Sequence, residues 1–336
     1  MRKNKNTSSI ILIILVALSA AGALFAIYKY SGSVLLSDRF FGQNNDAAQL
    51  KFLPAQPANF PSLNTLAWGA YNGWQDSDII DFEQKVGKKM PLVALFLHWG
   101  NENEFPSYLG PLIKKDDKTL VIFWEATDYN VASAEQPRFS YDAVLRGDWD
   151  SYFTTFAKNA KDFGWPVILI PFSEMNGNWF PCSITKNGNN AEKHILAYRY
   201  VHDFFKNIPN VRFGWAINVN NVPGSVENQI KLLYPGDQYV DYVGADGFNT
   251  GEPWQSYNEV FSRTNEALKV LKKPIYVFSI ASAQGTKKAA WISDAFKQIT
   301  SQPEIKGWIW FNENKEKDWR VWSDAASLEA FRAALP

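Results

Sequence analysis

Eight short apolar runs, separated by longer amphipathic stretches, constrain the fold of this chain more than any other feature. From Leu63 onward the runs read LNTLAWGAY, LVALFLHWG, TLVIFWEA, PVILIPFSE, VRFGWAINV, YVGADGFN, PIYVFSIAS and IKGWIWFNEN. Near-continuous apolar strands that alternate with helical patterns indicate a parallel sheet covered on both faces. Eight such units predict a (β/α)₈ TIM barrel of the α/β class. A doubly wound open sheet is the alternative, but no glycine-rich phosphate loop follows the first run.

In a barrel of this kind, functional side chains come from the carboxyl-terminal ends of the strands. Glu174 lies at such an end, in the segment PFSEMNGNWF, with an Asn, a Gly and a Trp close behind it. Flat aromatic rings stack on the apolar faces of sugars, so this segment indicates a sugar site. The polar residues predicted at strand ends are Asn72, His98, Glu125, Glu174, Asn218, Asp246, Asn249, Ser279, Ser282, Asn312 and Glu313.

The charge balance and the aromatic content of the chain indicate which kinds of ligand it binds. The chain carries 34 Lys+Arg and 34 Asp+Glu, and this balance lacks the basic excess typical of nucleic-acid binders. Aromatic residues make up 15% of the chain and include 14 Trp, which favours an aromatic-lined cleft over a large core alone. Three His and one Cys form no metal-ligand pattern, so we expect neither a metal nor a cofactor. With Cys182 as the single cysteine, an intramolecular disulfide is excluded.

The amino-terminal segment predicts a membrane anchor. Three basic residues in MRKNKN precede a stretch without charge from Ser8 to Tyr28, about the length that spans a bilayer. The basic flank predicts a cytoplasmic amino terminus and an extracytoplasmic remainder. A signal peptide cleaved after the small residues Ala21–Ala23 is the alternative. The predicted organisation is an anchor or signal segment at 1–30, a tether at 31–60 and one barrel domain at 61–336, acting as a monomer.

Several long segments resemble glycoside hydrolase family 26, the β-mannanase family, over about residues 65–332. They include WGAYNGWQ, FEQKVGKK, HWGNENEFP, FWEATD, PFSEMNGNWFP, YPGDQYVDYVGADGFN, KPIYVFSIASAQGTKKAAWISDAF and IKGWIWFNENKEKDWRVWSD, in the family's order. The family is a retaining one, with an acid/base Glu at the end of strand four and a nucleophile Glu at the end of strand seven. Retention requires both, about 5–5.5 Å apart.

The resemblance implies that Glu174 takes the acid/base position and that Ser279 takes the nucleophile position. No Asp or Glu occurs from Lys272 to Ile292, so no small shift of the alignment supplies the missing carboxylate. Losing a covalent nucleophile costs on the order of 10⁴–10⁶ in rate, by analogy with catalytic triads.

Other departures from the family pattern point the same way. The family's Arg and His near the acid/base fall at Ile170 and Ser173, and its strand-six Tyr falls at Phe248. Aromatic residues of the family fall at Thr250 and Cys182. Arg, His and Tyr would support a buried carboxylate nucleophile through charge and hydrogen bonds. Their joint absence is therefore consistent with the absence of the nucleophile.

We predict a catalytically impaired, membrane-anchored member that binds a β-linked polysaccharide, such as a mannan or an envelope or secreted polymer. The alternatives are an active glycosidase that uses Glu174 with an unusual base, for which Glu125, Asp246 and Glu313 are candidates, and an interaction scaffold without a glycan role. The predicted glycan-binding residues are Trp68, Trp74, His98, Trp99, Trp124, Glu125, Asn176, Trp179, Asp246, Phe248 and Trp310.

Overall fold

A computed structural model describes residues 60–225 and 228–336, and it contains a closed barrel of eight parallel strands. The strands follow one another around the barrel in chain order, and β8 pairs with β1 to close it. Their bounds are β1 Ala67–Tyr71, β2 Leu92–His98, β3 Thr119–Glu125, β4 Val167–Pro171, β5 Val211–Asn218, β6 Tyr242–Asn249, β7 Ile275–Ser282 and β8 Ile305–Phe311. The prediction of a (β/α)₈ barrel is confirmed, and the open sheet is wrong.

Helices connect the strands and cover the outside of the barrel. Their bounds are α1 Asp76–Val86, α2 Gly110–Lys115, α3 Tyr141–Leu145, α4 Asp150–Phe163, α5 Ala191–Asp203, α6 Ile230–Leu233, α7 Tyr257–Lys269, α8 Lys288–Thr300 and α9 Ala325–Ala334. Side chains cap several amino termini: Asn190 accepts a hydrogen bond from the Lys193 amide, and Ser256 forms a capping box with Glu259. Such caps satisfy backbone donors that have no partner inside the helix.

Two apolar layers make up the core. One fills the barrel interior and includes Tyr71, Phe123, Ile170 and Phe278. The larger one lies between the strands and the surrounding helices. Phe60, which we predicted to end the tether, belongs to the interior layer, where its ring lies 5.3 Å from the Arg212 guanidinium near the start of β5.

Strand alternation corrects the prediction for four tryptophans. Successive strand residues face opposite sides of the sheet, so the neighbours of inward-facing residues face the helices. Trp99 follows the cleft-side His98, and Trp124 lies between Phe123 and Glu125. Buried between strands and helices, these indoles leave no ring face open to a sugar. The four are Trp68, Trp99, Trp124 and Trp310.

The predicted anchor and tether fall almost wholly on residues 1–59, outside the described part of the chain. Among residues 60–225 and 228–336, no helix is both long and apolar enough to cross a bilayer.

Candidate active site

Glu174 lies directly after β4 in a strained turn. Both Phe172 and Glu174 adopt left-handed backbone conformations, with φ of 56° and 54°. A non-glycine residue in this region costs about 1–3 kcal/mol and persists only where the surroundings enforce it. The Glu174 amide donates to the Ala216 carbonyl on β5 (3.0 Å), and the Glu174 carbonyl accepts from the Gly177 amide (2.8 Å). The turn therefore holds the carboxyl above the carboxyl-terminal end of the barrel.

Two side chains hold the Glu174 carboxyl in place. Asn218 donates to Oε1 through its amide at 2.7 Å, and Trp179 donates to Oε2 through its indole N–H at 2.7 Å. The Asn218 amide has a fixed orientation because its Oδ1 accepts from the Asn220 backbone N–H (2.8 Å). Burial raises the pKa of Glu174, while the hydrogen bonds from Asn218 and Trp179 lower it. The net shift is upward, as a general acid requires.

Asn176 positions this arrangement rather than facing a ligand. It is fully buried, and its Oδ1 accepts from the Asn218 backbone N–H at 2.8 Å. Its Nδ2 donates to the Asn218 carbonyl and to Asn221 Oδ1, both at 2.8 Å. With both ends of the amide engaged, the prediction that Asn176 contacts glycan is corrected: it is a positioning residue.

Glu125 and Asp246 bring two more carboxyl groups to the same end of the barrel. Both are buried, at the end of β3 and within β6. Burial raises the pKa of Glu125 to about 8; a hydrogen bond from the Ser173 hydroxyl opposes the shift, and the nearby Glu174 adds to it. The pKa of Asp246 lies well above its usual value through burial and the proximity of Glu174 and Glu125. Burial therefore favours the protonated, uncharged form of both groups.

Ser279 lies opposite Asp246 on the neighbouring strand. The register of β6 against β7 shifts between Ala245 and Asp246, which pairs Asp246 with Ser279. Ser279 is buried, and within residues 60–225 and 228–336 its side chain has no hydrogen-bonding partner. Among the described residues this hydroxyl is hydrogen-bonded to no base, and such a hydroxyl is a weak nucleophile.

Aromatic rings form the surface beneath the carboxyl groups. This aromatic floor consists of Tyr71, Phe96, Phe123, Phe278 and Phe311. Phe96 stacks on Phe123 at 4.3 Å, and Tyr71 contacts Phe96 and Phe311 at 4.9 and 5.5 Å. A floor without charge explains why burial dominates the pKa shifts of the carboxyl groups above it.

Trp179 provides an exposed ring beside Glu174. Its side chain is 39% exposed, and its ring lies close over Gly177, where an added Cβ would come within 2.5 Å of it. Together with Tyr129 and Phe180 it lines a cleft of about 230 Å³ between the loops that follow β3 and β4. The structure therefore keeps Trp179 available for stacking. Tyr129 and Phe180 were missed because loop aromatics carry no periodic signal.

A hydrogen-bonded relay supports the β4 loop from behind. The Trp215 indole N–H donates to His194 Nε2 (3.4 Å), so the His194 proton lies on Nδ1, which contacts the Tyr141 hydroxyl at 2.8 Å. That hydroxyl donates to the Cys182 carbonyl. Burial lowers the pKa of His194 to about 3, which keeps the ring neutral. The relay therefore holds the segment that follows Glu174 and Trp179.

The remaining predicted residues occupy the edge of the cleft. His98 is half-buried, its ring lies 4.9 Å from that of Tyr129, and its Nδ1 has no partner in the described part of the chain. Phe248 is half-buried against Trp319 at 5.3 Å. Trp74 is half-buried at the edge of the Tyr71 ring, 6.4 Å away. Burial raises the pKa of Glu313.

A metal role finds no support in these groups. Within residues 60–225 and 228–336, no three His, Cys, Asp or Glu side chains are grouped so as to hold a metal ion.

The comparisons with known proteins decide the family. A model of glycosyl hydrolase family 26 matches residues 75–327, which include Glu174 and Ser279. This chain belongs to glycoside hydrolase family 26. It is 34% identical to endoglucanase H of Acetivibrio thermocellus over 281 residues. This aligned region covers 80% of this chain and 30% of that protein. It is 27% identical over 167 residues to a mannan endo-1,4-beta-mannosidase of Bifidobacterium adolescentis, covering 49% and 15%.

The chain spans less than a third of the length of these two curated relatives. Solved family 26 structures share its fold. The β-mannanase BoMan26A of Bacteroides ovatus superposes with a TM-score of 0.63 at 17% identity, covering 81% of this chain and 88% of the other. The Bacillus subtilis mannanase BCman superposes with a TM-score of 0.58 at 18% identity, covering 80% and 84%. At these identities the likeness concerns the fold alone.

Proposed function

We propose that this family 26 chain binds a β-linked polysaccharide without detectable hydrolysis. The observation that carries the proposal is that Ser279 lies opposite Asp246 on β7, at the position that the family resemblance gives to the nucleophile, while Glu174 is in place as general acid. Retaining and inverting mechanisms both need a second carboxylate, either as nucleophile or as base. Glu125 and Asp246 are the two candidates whose pKa the Glu174 carboxyl influences. Burial raises the pKa of Glu125 to about 8 and raises that of Asp246 well above its usual value.

The chemistry at the nucleophile position supports the same proposal. A serine hydroxyl attacks a sugar only when a neighbouring base removes its proton. Ser279 pairs with Asp246, whose raised pKa favours the protonated form, and a protonated carboxyl cannot take the proton of the hydroxyl. Glu174 could still protonate a leaving oxygen, but nothing would attack the anomeric carbon from the other side. Binding without turnover is the expected result.

Glycan binding itself is supported by the aromatic surfaces. The half-buried Phe96 and Phe311 rings of the aromatic floor and the exposed Trp179 ring offer apolar faces next to hydrogen-bonding groups, the combination that sugar sites use. The curated relatives are named for two backbones, a glucan and a mannan. Both are therefore candidate ligands for this chain.

A second candidate function is slow inverting hydrolysis with Asp246 as base. The observation in its favour is that Asp246 Oδ1 is buried and has no hydrogen-bonding partner among the described residues. An oxygen in that state could hold a water once a ligand removes the remaining solvent. This function would require the carboxyl groups to stand about 6.5–9.5 Å apart, and Asp246 to ionise.

We further propose that residues 1–30 anchor the chain in a membrane, with residues 61–336 outside the cytoplasm. The basic residues of MRKNKN and the following uncharged stretch support this location. Protease treatment of intact cells should remove the barrel, and a carbonate wash should leave the protein in the membrane fraction. Release into the medium would instead support a cleaved signal peptide.

Affinity electrophoresis of the full chain in gels containing β-mannan, β-glucan or xylan tests the binding proposal. We expect retardation by at least one of the three, and we expect Trp179→Ala to weaken it up to about tenfold, since one stacked aromatic contributes roughly 0.5–1.5 kcal/mol. Trp165→Ala is the control, because Trp165 precedes β4 at the opposite end of the barrel. No retardation by any glycan would leave the interaction scaffold as the better account.

A further inference from the structure

A second cleft opens beside the candidate active site, between the loops that follow β6, β7 and β8. This cleft, the β6–β8 pocket, has a volume of about 390 Å³. Its lining includes Thr250, Trp254, Gln284, Thr286, Lys287 and Lys317. Ala283 on its wall is four residues beyond Ser279 along β7, a distance of about 13 Å in an extended strand. A polymer lying across Ser279 and Glu174 could therefore continue into the pocket.

Two glycines shape the wall of the pocket around one aromatic ring. An added Cβ on Gly285 would meet the Trp254 ring at 3.1 Å, and one on Gly251 would meet Ala283 at 3.4 Å. Gly251 also has φ of 86°, a conformation that other residues rarely adopt. Because these side chains are missing, the half-buried Trp254 ring lies directly against the backbone of both loops. This leaves a cavity with one flat apolar wall, which suits a sugar ring.

Two lysine side chains of the pocket, Lys287 and Lys317, form no ion pair among the described residues. Within residues 60–225 and 228–336, neither the Lys287 nor the Lys317 ammonium lies within 4.0 Å of a carboxylate. Asp318, which also lines the pocket, is neutralised by Arg320, with two hydrogen bonds of 2.8 Å. Glu252 is exposed at the rim. The pocket therefore carries two available positive charges against one exposed carboxylate.

Buried contacts hold the three loops together. Asn249 accepts from the Gly251 and Gln255 amides and donates to the Ser282 hydroxyl at 3.0 Å. The fully buried Lys288 donates to the Asp318 and Arg320 carbonyls at 3.1 and 2.7 Å. These hydrogen bonds hold the backbone directly after Lys317 in place. A pocket held in this way needs little reordering when a ligand binds.

We propose that the β6–β8 pocket binds a carboxylate-bearing sugar unit of the polysaccharide, with Lys287 and Lys317 paired to the carboxylate and Trp254 against the ring. This inference rests on the proposed glycan-binding function and specifies its ligand as an acidic glycan. The centre of the cleft disfavours a negative charge, because burial there raises the pKa of Glu125, Glu174 and Asp246. The matching polymer therefore has a neutral unit at Glu174 and an acidic unit farther along the chain.

Paired oligosaccharides test this inference. The full chain is titrated with neutral cello- and manno-oligosaccharides and with the same oligomers partly oxidised at C6 to carboxylates, at low and high salt. We expect the acidic form of at least one backbone to bind about tenfold tighter at low salt, as a charge-assisted contact provides. The preference should shrink at high salt, because ions screen partly exposed charges.

A double variant, Lys287→Met with Lys317→Met, should bring the ratio of the two affinities close to one without lowering the unfolding midpoint. Lys297→Met is the matched control, since Lys297 is exposed outside the pocket on α8, the helix that Lys287 immediately precedes. Equal affinity for acidic and neutral forms would overturn the inference and leave the proposed function intact. A preference that survives the double variant would also overturn it. Failure of both forms of both backbones to bind would overturn the inference and the proposed function together.

Discussion

At the scale of single residues, three buried carboxyl groups and the balance of charge around them define the site. Three carboxyl groups, Glu125, Glu174 and Asp246, share a space above an aromatic floor, and the position of the family's strand-four Arg holds Ile170. Burial and mutual repulsion favour the protonated forms, and the Lys315 ammonium opposes this only weakly at Glu125 and Glu174. This balance has measurable consequences for stability as well as for catalysis.

Glu125 makes the stability of the barrel depend on pH. In the folded chain its pKa is about 8, against about 4.5 when exposed. Between these values the folded state holds a proton that the unfolded state has released, so the free energy of unfolding falls as pH rises. The slope reaches at most about 1.4 kcal/mol per pH unit for one group.

We expect Glu125→Gln to reduce this slope in urea unfolding series between pH 5 and 8. Glu329→Gln is the control, because Glu329 is exposed on α9. Identical slopes in the two variants would show that Glu125 is ionised in the folded chain, contrary to the charge balance described above.

Ser279 is the second residue at which charge can be tested. Ser279→Glu would add a fourth carboxyl group at a buried position opposite Asp246. A buried carboxyl without a partner costs stability either as a charge or because it must keep a proton that the unfolded chain would release. This second cost grows with pH, so we expect a loss in the free energy of unfolding of about 1–3 kcal/mol at pH 8 and a smaller loss at pH 5. Ser279→Gln has nearly the same shape without the charge and should show no such pH dependence. Equal losses for both variants at both pH values would mean that steric fit alone decides this position.

At the scale of elements, the loop after β4 carries the site, and its strain is held by the relay behind it. The left-handed residues Phe172 and Glu174 need support from the surrounding structure, and the chain from Trp215 through His194 and Tyr141 supplies it. The relay ends at the Cys182 carbonyl, within the same loop. The loop is therefore pre-ordered for a ligand rather than ordered by it.

Tyr141→Phe tests this coupling between relay and loop. The change leaves His194 Nδ1–H and the Cys182 carbonyl without a buried partner, so we expect a stability loss of about 1–3 kcal/mol and faster amide exchange in the segment 172–185. Tyr108→Phe is the control, since its half-exposed hydroxyl contacts only the Trp74 carbonyl. Unchanged exchange in this segment would mean that the loop is held by other contacts.

The same elements show how far the sequence could predict the site. Glu174, Glu125 and Asp246 were predicted at strand ends and meet there, because parallel strands of a closed barrel all end on one face. The tryptophan predictions ignored strand alternation: Trp99 and Trp124 are adjacent to inward-facing residues and so face the helices. The positioning role of Asn176 was not predictable, since it depends on loop contacts with Asn218 and Asn221.

At the scale of the whole molecule, the barrel follows from the order and spacing of eight apolar runs, and the sequence was sufficient to predict it. The two flanking clefts were not predictable, because loops with no repeating pattern form them. They lie on either side of Glu174, one between the β3 and β4 loops and the other among the β6, β7 and β8 loops. Such an arrangement suits an extended polymer that lies across the end of the barrel.

The most direct test of the account is reducing-end release by the full chain from β-mannan, β-glucan and xylan, measured beside Glu174→Gln. The Gln variant keeps the shape of the side chain and removes its acid function. The account predicts no release by the unchanged chain above that of Glu174→Gln on any glycan that it binds. Release that disappears in Glu174→Gln would contradict the account and establish a hydrolase whose second catalytic group is not the residue at position 279.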